Sequence, residues 1–451
     1  MIELRPYQQD AENRLIECYK NGAKAVLLVL PTGGGKTIVF SDITAKSAKK
    51  GNKVLLLVHR EELLKQASKS FKKFGVPHGL IAAGNTPAYY EKVQIASVQT
   101  LAERLAHYKA TCGEPNFIII DEAHHAVAGS WGKIIAEFPN AKILGVTATP
   151  ERLDGKGLGL TVGGVFEHIV IGATVTDLIG LGYLAQPIIY APPAPDDKGA
   201  IIGDVVAHYR KLAHNVPTAV FCRTVKHAKE VAQQFTDAGY RAGCVDGTLK
   251  KEERDAMLAG LGNGSLHVVT SCDIISEGTD IPAIGCAILL RKTASLSLYL
   301  QQVGRALRVC EGKEHAIILD HVGNSLVHGL PTDEWEWSLL GEKQRKRKAG
   351  SELIKVKQCP KCYAVFAHTP NGACPQCSHI PKPKGRKIIN AAGELVEVTP
   401  AEIERQKLER KRDVYACQTL PELLEFQRAQ GYKEGWALAV HQARQNKRKN
   451  F

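Results

Sequence analysis

The chain has 451 residues, 44% of them hydrophobic, and its 59 Lys and Arg against 46 Asp and Glu leave a net charge of +13. That length exceeds what one hydrophobic core sustains, so at least two domains are expected, and no apolar run approaches the roughly eighteen residues of a membrane span. The acid-bearing opening MIELRPYQQD is unlike a secretory leader and twelve cysteines suit a reducing compartment, so a soluble cytoplasmic protein with no membrane partner is expected.

In chain order, the apolar run AVLLVL (Ala25 to Leu30) leads directly into PTGGGKT. A tight turn would use one or two glycines and no lysine behind them. Backbone N–H groups of Thr32, Gly33, Gly34 and Gly35 can instead converge on a phosphate, and the N-terminus of the following helix adds its positive end. Lys36 would reach the outer phosphates of a nucleotide while the Thr37 hydroxyl ligates magnesium. The strict pattern has glycine where this chain has Leu30, so the match is to a looser form, with a plain strand-to-helix turn as the alternative.

Further apolar runs follow: VLLLVH (Val54 to His59), IASV (Ile95 to Val98), FIIID (Phe117 to Asp121) and ILGVTA (Ile143 to Ala148). Continuous Val/Ile/Leu strands alternating with helical stretches predict a parallel sheet covered on both faces. The rhythm restarts at Thr218 with AVFC, GCVD, HVVTS, AILLR and HAIILD, after a Pro-rich stretch YAPPAPDDKGA (Tyr190 to Ala200) that reads as a boundary. The expected architecture is α/β: two doubly wound parallel-sheet units in tandem, residues 1–190 and 200–335, then a four-cysteine module at 355–382 and a basic helical segment at 383–451. In such sheets ligands sit outside the carboxyl ends of the strands. Lys36, Asp121, Glu122, Thr147, Thr149, Ser271, Gly278 and Asp280 all fall there, which predicts a site in the cleft between the units.

At the end of IIIDEAH, Asp121 can hold magnesium and Glu122 can orient or deprotonate an attacking water, the task of a general base in phosphoanhydride hydrolysis. In QQVGRALR, Arg305 and Arg308 stand three apart on one helical face and can point together into the cleft, neutralising charge on a transferring phosphoryl group only when the second unit docks. A surface or structural role for either arginine is the alternative.

Past the second unit the pairs CPKC (Cys359, Cys362) and CPQC (Cys374, Cys377) can close a tetrahedral thiolate site, for structural zinc before iron, with His368 and His379 as bystanders. From Gly341 onward, 23 Lys and Arg against 11 Asp and Glu give +12 of the total +13. The blocks KQRKRK (Lys343 to Lys348), KPKGRK (Lys382 to Lys387) and RQNKRK (Arg444 to Lys449) suit a polyanion-binding appendage or a solvated tail. The ribbon reads as facing nucleic acid, or as a brace, and GYKEGWALAVHQARQ as a short amphipathic helix anchored by Trp436.

The phosphate loop followed by DEAH resembles the superfamily 2 nucleic-acid helicases and translocases, and the family's other motifs recur in order over roughly the first 325 residues. LRPYQ is similar to the adenine-recognition motif, which implies that Arg5 and Tyr7 frame the base and Gln8 reads its edge. The resemblance implies strand contacts from His59, Arg60, Ser97, Thr100, Thr270 and Ser271. It implies nucleotide contacts from Gly278 and Asp280, and coupling roles for His124, Thr147, Thr149 and Gln301. Those polar residues could equally be turn formers or helix caps. VHREELLKQ, SEGTDIP, QQVGRALR and the four-cysteine module most resemble the restriction-motor helicases, in particular RadD-like DNA repair helicases and their phage relatives. That implies ATP, Mg2+ and Zn2+ as cofactors. It also implies single-stranded, forked or branched DNA as partner, along with single-strand-binding or recombination proteins, in a bacterial or phage-infected cytoplasm. An RNA-unwinding ATPase, a branch-migration translocase that leaves strands paired, and a nucleotide-controlled clamp are the competing readings.

Overall fold

The computed structural model describes residues 3–126, 129–152, 155–192, 201, 203–272, 284–341, 346–347, 357–359, 362, 364–366 and 373–380, with scattered positions between 414 and 441. Gly278, Asp280, His368, Trp436 and the side chains of the three basic blocks lie outside the described residues. Residues 1–382 form one compact unit and 383–451 a second.

Within the first unit, the first lobe is built on seven parallel strands: β1 (Ala25–Val29), β2 (Val54–Val58), β3 (Gly79–Ile81), β4 (Val93–Ser97), β5 (Phe117–Asp121), β6 (Lys142–Thr147) and β7 (His168–Ile171). Their order across the sheet is β3-β4-β2-β5-β6-β1-β7. The central strands are buried on both faces, which is why they read as unbroken apolar runs. Val26 and Leu28 join one core with Leu15, Phe40 and Phe71. Leu27 and Val29 join the opposite core with Leu101, Trp131 and Phe138.

The second lobe repeats the plan with β8 (Gln186–Tyr190), β9 (Thr218–Phe221), β10 (Ala242–Val245), β11 (Val268–Ser271), β12 (Cys286–Leu289) and β13 (His315–Asp320), ordered β10-β11-β9-β12-β13-β8. Phe221 and Leu289 face a core shared with Tyr299 and Val303, and Val220 and Ile288 one shared with Tyr209 and Phe235. Strand β8, assigned from sequence to the end of the first lobe, pairs with β13 instead. The chain therefore changes sheets before Gln186, not in the Pro-rich stretch after it.

After β13 the chain makes a small antiparallel pair, β14 (Trp335–Glu336) with β15 (Lys346–Arg347). Between these strands it runs back over the first lobe. Gly159 donates its N–H to the Leu339 carbonyl at 2.9 Å, and Lys156 bridges Gly341 in antiparallel fashion. Trp337 touches the cores of both lobes and Leu339 that of the first.

The cysteine module is not a separate appendage. Strands β16 (Lys357–Gln358) and β17 (Ala364–Phe366) form an antiparallel hairpin, and β17 pairs with β8, so the hairpin extends the second lobe's sheet to eight strands. The sequence suggests a hairpin inside the loop between the cysteine pairs; the turn instead encloses the first pair, because the Cys359 N–H donates to the Ala364 carbonyl at 2.9 Å. In the second unit the helix Leu420–Ala429 buries Leu423, and Gln427 accepts the Ala437 N–H at 2.9 Å.

Candidate nucleotide cleft and metal centre

The helix Lys36–Lys49 starts from Gly35, whose φ of 81° lies in the left-handed region open to glycine. A β-carbon there would also press on the end of the Gln8 side chain, which would have to move. Gln8 is buried and ties the loop to the helix Pro6–Lys20: its amide donates to the Gly34 carbonyl at 3.5 Å while its oxygen accepts the Arg5 N–H at 3.0 Å. Tyr7 donates to the same Gly34 carbonyl at 3.0 Å. The Arg5 guanidinium lies 3.7 Å from the centre of the Tyr183 ring, and Tyr7 and Tyr183 stand 5.6 Å apart. Tyr183 escaped the sequence reading, since a lone aromatic just before β8 carries no motif.

A cleft of about 390 Å³ opens beside the loop, lined by Lys36, Thr37, Asp121 and Glu122 from the first lobe and by Arg305 and Arg308 from the second. Desolvation lowers the Lys36 ammonium below the ordinary lysine range, opposed by Glu122 and Asp121 and reinforced by Arg305 and Arg308. An incoming polyphosphate would reverse that penalty, so the cleft is electrostatically suited to an anion. Glu122 has φ 51° and ψ 56°, a left-handed conformation that costs a non-glycine residue about 1 kcal/mol or more. Its N–H donates to Asp121 Oδ1 at 3.0 Å, which ties the Asp121 carboxylate to the backbone of the buried turn.

The arginine helix Leu296–Ala306 is capped by Ser295, whose hydroxyl accepts the Leu298 N–H at 3.3 Å. Arg305 is buried near its end and Arg308 is half-buried just beyond. The helix reaches the phosphate loop closely: a β-carbon on Gly304 would lie 2.6 Å from the Thr32 β-carbon. Gln301 is buried on the same helix.

Across the lobes, Thr149 and Ser297 share a hydroxyl–hydroxyl hydrogen bond. Thr147 donates to the Thr149 carbonyl at 2.8 Å and lies 3.4 Å from His124 Nδ1, which is 3.5 Å from a Glu122 carboxylate oxygen. The expected coupling residues of the first lobe are thus contiguous with Glu122 and touch the arginine helix. Ser297 had no signal beyond being a serine in a helical first turn.

Lys313 was also missed. Its ammonium donates to the carbonyls of Ile284, at 2.7 Å, and of Ala306 and Arg308. A cation beside the unsatisfied carbonyls of a helix C-terminus is the signal that could have found it.

Of the expected strand contacts, His59 and Arg60 are half-buried at the end of β2, and Ser97 and Thr100 flank the start of the helix Val98–Glu103. Thr270 is a correction: it is fully buried in β11 and its hydroxyl donates to the Ala228 carbonyl at 2.7 Å, so its side chain does not face a strand. Ser271 is likewise buried.

The sulfurs of Cys359, Cys362, Cys374 and Cys377 lie within 4.8 Å of one another, with contacts of 3.6 Å (Cys359 to Cys377) and 3.5 Å (Cys362 to Cys374). Tetrahedral zinc with bonds of about 2.3 Å needs sulfurs about 3.8 Å apart, so the four thiolates fit zinc. Among the described residues no other group of three or more His, Cys, Asp and Glu side chains is gathered closely enough to hold a metal, and no helix is long and apolar enough to cross a membrane.

Residues 1–152 match the type III restriction enzyme, res subunit family, and residues 199–310 match the helicase conserved C-terminal domain. A 51.5 kDa protein of a Lactococcus phage is 33% identical over 389 residues, with 81% of each chain covered. The chain belongs to the restriction-motor branch of the superfamily 2 helicases. This helicase is also 33% identical over 360 residues to a Saccharomyces cerevisiae protein provisionally named ATP-dependent helicase IRC3, covering 72% of this chain and 52% of the yeast one. In fold it resembles the ATP-dependent type ISP restriction-modification enzyme LlaBIII bound to DNA, with a TM-score of 0.52 and 19% identity over 71% of this chain and 28% of that one. The helicase spans most of the phage relative but about half of the yeast protein, and it is an ATP-hydrolysing enzyme of two tandem α/β lobes.

Proposed function

We propose that this helicase is a DNA-directed motor, converting ATP hydrolysis into translocation on, or unwinding of, DNA during repair, recombination or replication. The observation that carries the reading is the facing of Lys36, Asp121 and Glu122 by Arg305 and Arg308 across one cleft, with Thr149 and Ser297 joined beside it. Nucleotide would lie on the backbone amides of Thr32 to Gly35, with Lys36 on its outer phosphates, Thr37 and Asp121 toward magnesium, and the base near Arg5, Tyr7 and Tyr183. Magnesium, when bound, supplies charge neutralisation on the phosphates. Glu122 is the general base, and the two arginines stabilise negative charge on the transferred group once the lobes have closed. Gly278 and Asp280 complete the contacts from the second lobe.

DNA is favoured over RNA by the match of residues 1–152 to the res subunit of type III restriction enzymes, which are enzymes of DNA. A zinc ion in the four-cysteine site would be structural, since four thiolates leave no open position for chemistry. The RadD-like motif set supports repair in a bacterial or phage-infected cytoplasm, in company with single-strand-binding or recombination proteins.

The test is ATPase turnover with single-stranded, duplex, forked and four-way DNA and with RNA, for wild type, Lys36→Ala and Glu122→Gln. Stimulation by DNA over RNA is expected, with turnover reduced in both variants by about a hundredfold or more and ATP still bound by Glu122→Gln. Near-normal turnover in both variants would overturn the reading, and stimulation by RNA alone would reassign the substrate.

A further inference from the structure

Behind Glu122 the first lobe carries three imidazoles in succession. His124 Nδ1 lies 3.5 Å from the Glu122 carboxylate. The His124 ring centre is 4.1 Å from that of His125, and the His125 ring centre is 4.6 Å from that of His59. Arg60 closes the series, its Nε donating to His59 Nε2 at 3.2 Å. An uninterrupted path of contacts therefore joins the half-buried end of β2 to the buried carboxylate.

We propose that His125 is a positioning residue: packed in tilted ring contact between His59 and His124, it transmits engagement of a DNA strand at His59 and Arg60 to the placement of Glu122. The inference rests on the functional reading above and adds how DNA would control hydrolysis.

Two features favour a mechanical role for this stack over passive packing. The backbone of Glu122 is held in a left-handed conformation, and such strain persists only where the surroundings over-determine it. Its immediate neighbours are the members of the stack, since the 3-10 turn Ala123–His125 follows directly. The second feature is direction. His124 also lies 3.4 Å from Thr147 Oγ1, and Thr147 is bonded to Thr149, which reaches Ser297 on the arginine helix. A shift of the stack would thus move the general base and the interlobe contact together. A mutant cycle measures the energetic coupling along this path.

The experiment compares His125→Ala and His125→Phe with wild type for ATP turnover with and without single-stranded DNA, ATP KM, DNA affinity and thermal melting. In His125→Ala the DNA-free turnover, ATP KM and DNA affinity should stay within about twofold while DNA-stimulated turnover falls about tenfold. His125→Phe keeps an aromatic ring in the stack and should retain at least half of the stimulation. In the pair His59→Ala and His125→Ala, the double variant should be about as impaired as the worse single one, because both interrupt one path. Equal losses with and without DNA, a loss confined to DNA affinity, unimpaired stimulation, or independent effects in the double variant would each overturn the proposal. A wild-type enzyme that no nucleic acid stimulates would instead remove the functional reading on which it stands. Should His125→Ala melt early, the phenylalanine variant decides the matter.

Discussion

Three backbone carbonyls converge on the Lys313 ammonium, one at the last residue of the helix that carries Arg305, one at Arg308 just beyond it and the third at Ile284 beside β12. Burial brings this amine down from 10.5 to about 8. The unfolded chain therefore binds more protons than the folded one between about pH 8 and pH 10, and this group adds stability as pH rises through that window. The clamp behaves oppositely, since a neutral amine has one hydrogen fewer for its three acceptors. Turnover should fall above about pH 8 with no matching fall in melting temperature, and Lys313→Arg, charged throughout, should lose that falling limb. A parallel decline of melting and turnover in wild type would refute the clamp. At this scale the sequence was legible wherever a charged residue stood at or just past the end of a buried strand, as with Lys36, Asp121 and Glu122, or where two arginines recurred three apart, as with Arg305 and Arg308. Tyr183, Ser297 and Lys313 were illegible because their residue types are ordinary and only long-range packing brings them to the cleft.

Among the elements, those that could be read were the strands buried on both faces. The run at Val54 to Val58 or Phe117 to Asp121 has no polar interruption because helices cover it on each side. Strand β8 escaped because it is partly exposed and contains Pro187, and β17 because its partner strand is remote in sequence. That last pairing gives the four-cysteine site a second role. Val365 of β17 joins the second lobe's core, and Tyr190 of β8 packs against the cysteine cluster. Loss of the metal would free the hairpin turn and leave β8 at an unpaired sheet edge. Chelation, or Cys359→Ser with Cys374→Ser, should lower the melting temperature of the motor and its ATPase together. Calorimetry that finds the motor transition unmoved after metal release would show the ribbon to be energetically independent.

For the whole molecule, the net charge of +13 is distributed as a nearly neutral motor followed by a strongly basic last quarter. Counterion release makes each phosphate contact visible as a slope of binding against salt. Truncation after Lys382, at the boundary of the first compact unit, should weaken DNA binding and flatten that slope while DNA-free turnover persists. An unaltered slope in the truncated protein would mean that the tail is a solvated appendage and that the phosphate contacts reside in the lobes.

Apart from side-chain contacts across the cleft such as Thr149 with Ser297 and Arg254 with Glu62, the lobes are joined at two places in the chain, once through the segment between β7 and β8 and again where Leu339 and Gly341 lie against Gly159 and Lys156. Bodies attached at a single point can tumble, whereas attachment at two points leaves a line about which they swing. Arg305 and Arg308 would then travel along one arc toward Lys36 and Glu122, with little freedom to arrive askew. The stride of such a machine is a lever length multiplied by a swing angle, so residues far from that line move most for each molecule of ATP consumed.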